Sequence, residues 1–220
     1  RLPYLEAVHI DFAADMGAEF QGLVQGRYDF MSGLHAAYLE ELLTEEGELN
    51  PAYADRIRLE AIPFLKTDYI GVLIDPDLPT STGHPLLDRR VRQALSLATD
   101  RVAIARHLRR GAVLPTDRFT PPTLPGMASH KRPTFDLDSA ENLLAAAGFP
   151  RGEGLPELTI STTSDYVDLC AALQHQWKAL GIDVAVDVLS AGAQRERVAK
   201  GEAMLFRKSW LADYPDAENF

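Results

Sequence analysis

The chain has 220 residues, 46% of them hydrophobic and 25% charged, and its 22 basic side chains face 32 acidic ones for a formal net charge of −10. This is a globular composition, long enough to hide roughly 70% of its unfolded surface without a disulfide or a metal to hold the core. The acidic excess opposes nucleic acid and anionic membranes except at a local patch, no apolar run nears the ~20 residues of a bilayer span, and the lone Cys170 can neither close an intrachain bridge nor build a multi-cysteine metal site.

Strand and helix signals alternate along the chain. Leu5 to Phe12 has period two, with Val8, Ile10 and Phe12 on one face, and predicts a strand; Asp15 can then cap a short helix carrying Phe20, Leu23 and Val24, which Gly26 ends. Tyr28 to Met31 reads as a short strand. Ala36 to Glu46 reads as an amphipathic helix with Leu39, Leu42 and Leu43 inward and Glu40, Glu41, Glu45 and Glu46 outward. Strands are predicted over Ile57 to Phe64 and Tyr69 to Ile74, before a loop rich in Pro, Gly, Ser and Thr from Pro76 to Pro85.

The middle is helical. Asp88 can cap a helix with Val91, Ala94, Leu95 and Ala98 inward, and Asp100 opens a second through Val102, Ile104, Ala105 and Leu108, closed by Arg109, Arg110 and Gly111. Prolines 115, 121, 122, 125 and 133 predict a long ordered loop, and Asp138-Ser-Ala-Glu141 has capping-box spacing for a helix through Leu143 and Leu144 to Gly148.

The last third repeats the alternation. A strand over Leu158 to Thr163, a helix over Tyr166 to Leu180 burying Leu169, Leu173, Trp177 and Leu180, a stop at Gly181 and a strand over Ile182 to Val188 make a right-handed βαβ unit the leading topology. A short helix follows over Gln194 to Lys200 and a last strand over Ala203 to Ser209. The expected class is α/β with a mixed sheet, and no shift in charge marks a boundary inside 1–220.

Catalytic and nucleotide signatures are absent: no G-x-S-x-G, no G-x-x-x-x-G-K-[ST], no G-x-G-x-x-G after a strand and no H-E-x-x-H. No cofactor, metal or catalytic residue is expected. The six histidines are scattered singly, and Cys170 and His175 lie about 140° apart around their helix, so Cys170 reads as a small core residue. Seven arginines between 89 and 110 face only Asp100, without the interleaved aromatics that nucleic acid requires; a solvated helix pair is the simplest reading and a docking face the other.

The end of the chain is different. Phe206 to Asp216 brings a cation (Arg207), an indole (Trp210) and a carboxylate (Asp213) to the end of a strand, the edge where open α/β sheets bind ligands. A carboxylate beside an aromatic wall can capture an ammonium; the plainer alternative is a core Trp210 and an Asp213 that serves the turn before Tyr214-Pro215.

Leu23-Val-Gln-Gly-Arg-Tyr-Asp29, Leu86 to Ile104, Pro121-Pro122 to Pro125-Gly126, Phe135-Asp136 through Gly148-Phe149 and Trp210-Leu-Ala-Asp213-Tyr-Pro-Asp216 follow one another in an order that resembles the family 5 extracellular solute-binding proteins, the dipeptide and oligopeptide receptors of ABC importers. Leu86 to Ile104 is similar to that family's "V-R-x-A-L-x-x-A-x-D-R-x-x-I" helix pair, Leu23-Val-Gln-Gly-Arg-Tyr-Asp29 to its "L-x-x-G-x-x-D", and Pro121-Pro122 to Pro125-Gly126 to its proline loop. Phe135-Asp136 through Gly148-Phe149 resembles "Y-D-x-x-x-A-x-x-L-L-x-x-A-G-Y", and Trp210-Leu-Ala-Asp213-Tyr-Pro-Asp216 resembles "W-x-A-D-Y-P-D". The resemblance implies a type II periplasmic-binding-protein-like fold in which this chain is one α/β domain, the second lobe of a two-lobed receptor. By the same resemblance Asp213 holds the α-ammonium of a bound peptide, Trp210 lines the pocket, Arg207 offers a cation to a ligand carboxylate or carbonyl, and Tyr214 adjoins them.

The implied partners are a peptide, the membrane subunits of an ABC transporter and the first lobe of the same protein, in a periplasmic or membrane-anchored extracytoplasmic setting, with no bond chemistry and no nucleic acid. The absence of an initiator methionine and the aromatic-rich end at Phe220 fit a piece of something longer. One departure stands out: the family commonly ends the strand matching Tyr69 to Asp75 with asparagine, and this chain has Asp75. Two other classes remain open from the residues, a docking module that uses the arginine-rich helix pair and a hydrolase with Asp213 and Asp216 as paired carboxylates. A non-peptide ligand such as an oligosaccharide or a metal chelate is the alternative within the binding-protein class.

Overall fold

Apolar side chains gather into two clusters, and the chain divides with them into two compact units, Arg1–Glu60 and Ala61–Phe220. The computed structural model describes residues 4–12, 16–33, 36–62, 64–124, 127 and 134–220.

In the first unit, helix α1 (Met16–Val24) and helix α2 (Ala36–Leu42) share a small core in which Phe20 stacks on Tyr38 with ring centroids 4.7 Å apart, beside buried Leu39, Leu42 and Leu43. The predicted cap Asp15 lies outside the described residues; Gly26, at φ 72°, turns the chain after α1. α2 stops four residues before the predicted Glu46. The Thr44 hydroxyl accepts from the Glu46 and Glu48 amides, Gly47 takes φ 82°, and Leu43 bridges to Leu49, so the chain reverses there.

Three predicted strands do not form. Residues 5–12, 28–31 and the described part of 57–64 have no regular structure. Alternation makes a segment fit to be a strand, but a strand also needs a neighbour for its N–H and C=O groups, and among the described residues none pairs with these. Val8, Ile10, Ile62, Phe64 and above all Phe12, 94% exposed, are left open to solvent.

The second unit is built on a mixed four-stranded sheet of β1 (Lys66–Val72), β2 (Leu158–Thr162), β3 (Val184–Val188) and β4 (Leu205–Leu211) in the order β1-β4-β2-β3. β1 is antiparallel to β4; β2 is parallel to both β3 and β4. The helices are α3 (Arg89–Leu97), α4 (Arg101–Ala103) running into a π turn over Ile104–Leu108, α5 (Leu137–Ala146), α6 (Val167–Lys178) and α7 (Ala191–Ala199).

Helix starts follow side-chain oxygens. Asp88 accepts from the Arg90 amide (2.8 Å), Asp100 from Ala103 (2.9 Å) and Ser190 from Ala193 (3.3 Å). For α5 the cap is Asp136, whose Oδ1 takes the Ser139 amide at 2.9 Å, and not Asp138, which lies inside the first turn. Along α6 the inward positions are Cys170, Leu173 and Trp177, with Cys170 in the place predicted for Leu169. The Trp177 indole donates to the Leu95 carbonyl (3.1 Å) and the Thr99 hydroxyl (3.0 Å), tying α6 to the end of α3 through the middle of the core. The apolar part of the core spans the sheet face of Leu158, Ile160 and Leu205 and the inner sides of α3 and α5.

Candidate functional site

β4 runs parallel to β2, so both end at the same edge of the sheet, and there the chain leaves β4 for the loop 212–220. Side chains alternate across a strand. The register pairs Ser209 with Asp68 and Ile70 with Arg207, so Lys66, Asp68, Leu205, Arg207 and Ser209 share one face, continuous with the core at Ile160. Phe206, Lys208 and Trp210 share the other with Thr67 and Tyr69. Arg207 and Trp210, three positions apart, therefore leave the strand in opposite directions.

On the core face Arg207 is 6% exposed. Its Nη2 donates to the Asp68 carboxylate and, at 2.6 Å, to Ser209 Oγ, which itself donates to Asp68 Oδ1 at 2.6 Å. The guanidinium carbon lies over the Tyr166 ring, and the Tyr166 hydroxyl accepts from Lys66 Nζ at 2.8 Å. Lys66 is also 3.3 Å from Asp68 Oδ1, so one carboxylate serves two cations. The Arg207 Nε is buried and without a partner among the described residues. Where β2 and β4 part, the buried Gln194 amide donates to the Ser161 (3.0 Å) and Arg207 (2.8 Å) carbonyls.

Past β4 the loop folds back on itself. The Trp210 indole donates to the Asn219 carbonyl (2.5 Å) and lies 3.3 Å from Asn219 Oδ1, which also accepts from the Asp213 amide at 3.2 Å. Asp216 caps a short turn over Ala217–Asn219 by accepting from the Glu218 amide (3.0 Å), and the Tyr214 hydroxyl donates to Glu218 Oε1 (3.1 Å). The Ala212 amide donates to the Leu65 carbonyl (2.9 Å), and Phe220 meets Phe119 edge-on, as Phe119 meets Tyr69. Of the loop's carboxylates, Asp216 and Glu218 are engaged, whereas none of the described residues bonds to that of Asp213, which is exposed.

The structure thus brings Trp210, Asp213 and Tyr214 together in one loop and puts Arg207 in a separate cluster. Trp210 is 41% exposed, so the alternative of a core indole does not hold. The composition of the terminal segment pointed to the edge of the sheet; it did not point to Asp68, Tyr166, Gln194 or Asn219. Asp68 and Arg207 are 139 positions apart, and only the strand register joins them. Asn219 carries a local signal, as an amide six positions after Asp213 in a run able to turn back.

The other candidates have internal work. β1 ends at Val72, and Asp75 lies beyond it in a turn where its Oδ1 accepts from the Asp77 amide (3.0 Å). Cys170 is fully buried, and burial pushes its thiol pKa up, the reverse of what a nucleophile needs. In the arginine-rich helix pair, Arg90 pairs with Asp88, Arg92 donates to the Leu86 and Leu87 carbonyls, and Arg109 forms a bidentate pair with Asp168 at 2.5 and 3.2 Å. Much of that positive run is thus structural. Asp216, the other carboxylate of the hydrolase reading, accepts the Glu218 amide on Oδ1 as the cap of the turn over Ala217–Asn219.

The mixed sheet and the helices packed on it have the fold of a type II periplasmic-binding-protein-like domain. The chain belongs to the bacterial extracellular solute-binding proteins, family 5, whose middle-region model matches residues 1–220. It is 27% identical over 146 residues to the oligopeptide-binding protein OppA of Bacillus subtilis, covering 62% of this chain and 27% of that protein. It is 25% identical over 169 residues to the dipeptide-binding protein of Escherichia coli, covering 74% and 30%. The fold matches the periplasmic binding protein DppA of Helicobacter pylori, solved with the peptide STSA, at a TM-score of 0.75 and 24% identity over 94% of this chain and 37% of that one. The chain spans about a third of the length of these relatives.

Proposed function

We propose that this chain forms part of a substrate-binding protein that delivers peptides to an ABC importer, and that its Asp213 loop captures the amino end of the ligand. The observation that carries this is the carboxylate of Asp213, exposed and uncommitted beside a half-exposed Trp210, in a loop whose other acids are engaged. An ammonium held there gains a charge-assisted hydrogen bond against an aromatic wall, and the peptide backbone supplies the remaining bonds without selecting side chains. Trp210 is the wall and Tyr214, tied to Glu218, its flank. Arg207, on the opposite face of the strand and with its charge already matched by Asp68, stands outside this capture site.

The rest of the two-lobed protein supplies the opposite wall of the cleft. The exposed alternating side chains of 5–12 and of Ile62 and Phe64 support this, since they are strand faces in search of a sheet. The working protein is extracytoplasmic and meets the transporter's membrane subunits; it catalyses nothing. No helix among the described residues is long and apolar enough to cross a membrane.

The test is affinity of the full-length protein for tri-alanine and for its N-acetyl form. Capture at Asp213 requires a marked loss on acetylation, and equal affinity for the two points to another ligand class.

A further inference from the structure

We infer that Asn219 is a positioning residue for ligand capture, setting the backbone of Asp213 and the indole of Trp210 in one fixed relation. The inference deepens the amino-end reading and rests on it. Asn219 touches both groups with acceptors alone: its Oδ1 takes the Asp213 amide at 3.2 Å and lies 3.3 Å from the Trp210 indole nitrogen, and its carbonyl takes that nitrogen at 2.5 Å. Asp213 lies three residues beyond Trp210, past the end of β4, where no ladder bond fixes it. Its amide has no other acceptor among the described residues. Without Asn219 Oδ1 the carboxylate would ride on a backbone free to rotate, and an ammonium site works only if carboxylate and aromatic wall hold their spacing.

Asn219 is itself carried back to the strand by a short capped turn. The Asp216 carboxylate accepts from the Glu218 amide (3.0 Å) and the Asp216 carbonyl from the Asn219 amide (3.2 Å), while the adjoining Phe220 ring rests against Phe119. Phe119 is in turn held to β1, its carbonyl accepting from Thr67 Oγ1 at 2.7 Å. The chain of support therefore runs from the buried sheet through Thr67 and Phe119 to the turn, and from Asn219 to the two groups that meet the ligand.

Because the side chain of Asn219 acts only as an acceptor, its substitutions separate role from shape. Asn219→Leu keeps the volume and removes the acceptor; Asn219→Asp keeps an accepting oxygen. In the full-length protein, with tri-alanine and N-acetyl-tri-alanine as probes, Asn219→Leu should weaken tri-alanine about tenfold or more and collapse the preference for the free amine. Asn219→Asp should hold that preference within about threefold of wild type. Hydrogen exchange of the Asp213 amide should be faster in Asn219→Leu and restored in Asn219→Asp.

Wild-type affinity and preference in Asn219→Leu would overturn the inference and leave amino-end capture standing. So would a loss in Asn219→Asp as large as in Asn219→Leu, since acceptance would then not be the role. A wild type indifferent to acetylation overturns the amino-end reading instead; the positioning role is then decided by exchange of the Asp213 amide, supported if Asn219→Leu speeds it and overturned if the rate is unchanged.

Discussion

Arg207 and Trp210 stand three positions apart on β4, and the pleat sends them to opposite faces of the sheet. Arg207 is thereby an internal cation, matched by Asp68 and Ser209 under Tyr166, and its first task is to keep a buried charge satisfied. Removing one partner of a buried pair costs about 3–5 kcal/mol, and the one-third exposure of Asp68 lowers the expectation for Asp68→Asn to about 2 kcal/mol, read as a shift in the urea midpoint. The double variant Asp68→Asn/Arg207→Met should recover much of that loss, because the buried guanidinium is no longer left unpaired and the more exposed Lys66 keeps its bond to Tyr166. On the proposed reading Asp213 acts on the ligand and not on the fold, and Asp213→Asn should weaken peptides with a free amino end by roughly 2–5 kcal/mol in the full-length protein while leaving its thermal midpoint unchanged. At this scale the sequence put Trp210 and Asp213 at the end of a strand and in the turn after it, as β4 and its loop have them, because a strand followed by an aromatic and acidic turn is local information. It could not locate Asp68, whose link to Arg207 depends on which strands become neighbours.

At the scale of the element, most helices of the second unit were legible because their signals sit within one or two turns: Asp88 and Asp100 cap as their positions demand and Gly181 stops α6 at φ 75°, whereas Ser190 caps α7 so that it starts three residues before the predicted Gln194. The miss at α5 is a matter of reach, since Asp136 and Asp138 both precede apolar residues and only the first has its amide target three residues on. A Cβ on Gly181 would meet the Arg151 carbonyl oxygen, and its φ is one that L side chains rarely adopt; Gly181→Ala should therefore cost about 1–3 kcal/mol, seen as a lower urea midpoint. Element stability also carries a pH signature. His84 caps the turn Pro85–Leu87 by accepting the Leu86 amide on Nδ1 (3.2 Å), which needs a neutral ring, and burial lowers its pKa from the ordinary 6.5. The unfolded chain takes up that proton more readily, so this contribution is complete above pH 6.5 and is lost as the pH falls through 6.5 toward the folded value. His84→Asn, which keeps an acceptor that does not titrate, should flatten the stability profile in that window.

At the scale of the whole molecule, the strands predicted over 5–12, 28–31 and 57–64 did not form, whereas those of the second unit did. The difference lies in partners and not in pattern. β1, β2, β3 and β4 find one another inside the chain, and the earlier segments have the alternation but, among the described residues, no ladder. Periodicity reports which face of a strand is apolar and says nothing about who pairs with it. A chain about a third as long as its relatives, with strand faces left bare, is expected to bind peptides weakly on its own. Titrating di- to pentapeptides against the 220-residue chain and against the full-length protein should give measurable affinity only in the second; tight binding by the chain alone would show that one wall suffices. The central claim, capture of a peptide's amino end by Asp213, is tested most directly by calorimetry on the full-length protein and its Asp213→Asn variant with tri-alanine and N-acetyl-tri-alanine. The account predicts that acetylation weakens binding to the wild type by about thirtyfold or more and changes binding to the variant by less than about threefold. Equal affinity of the wild type for the two peptides would contradict it.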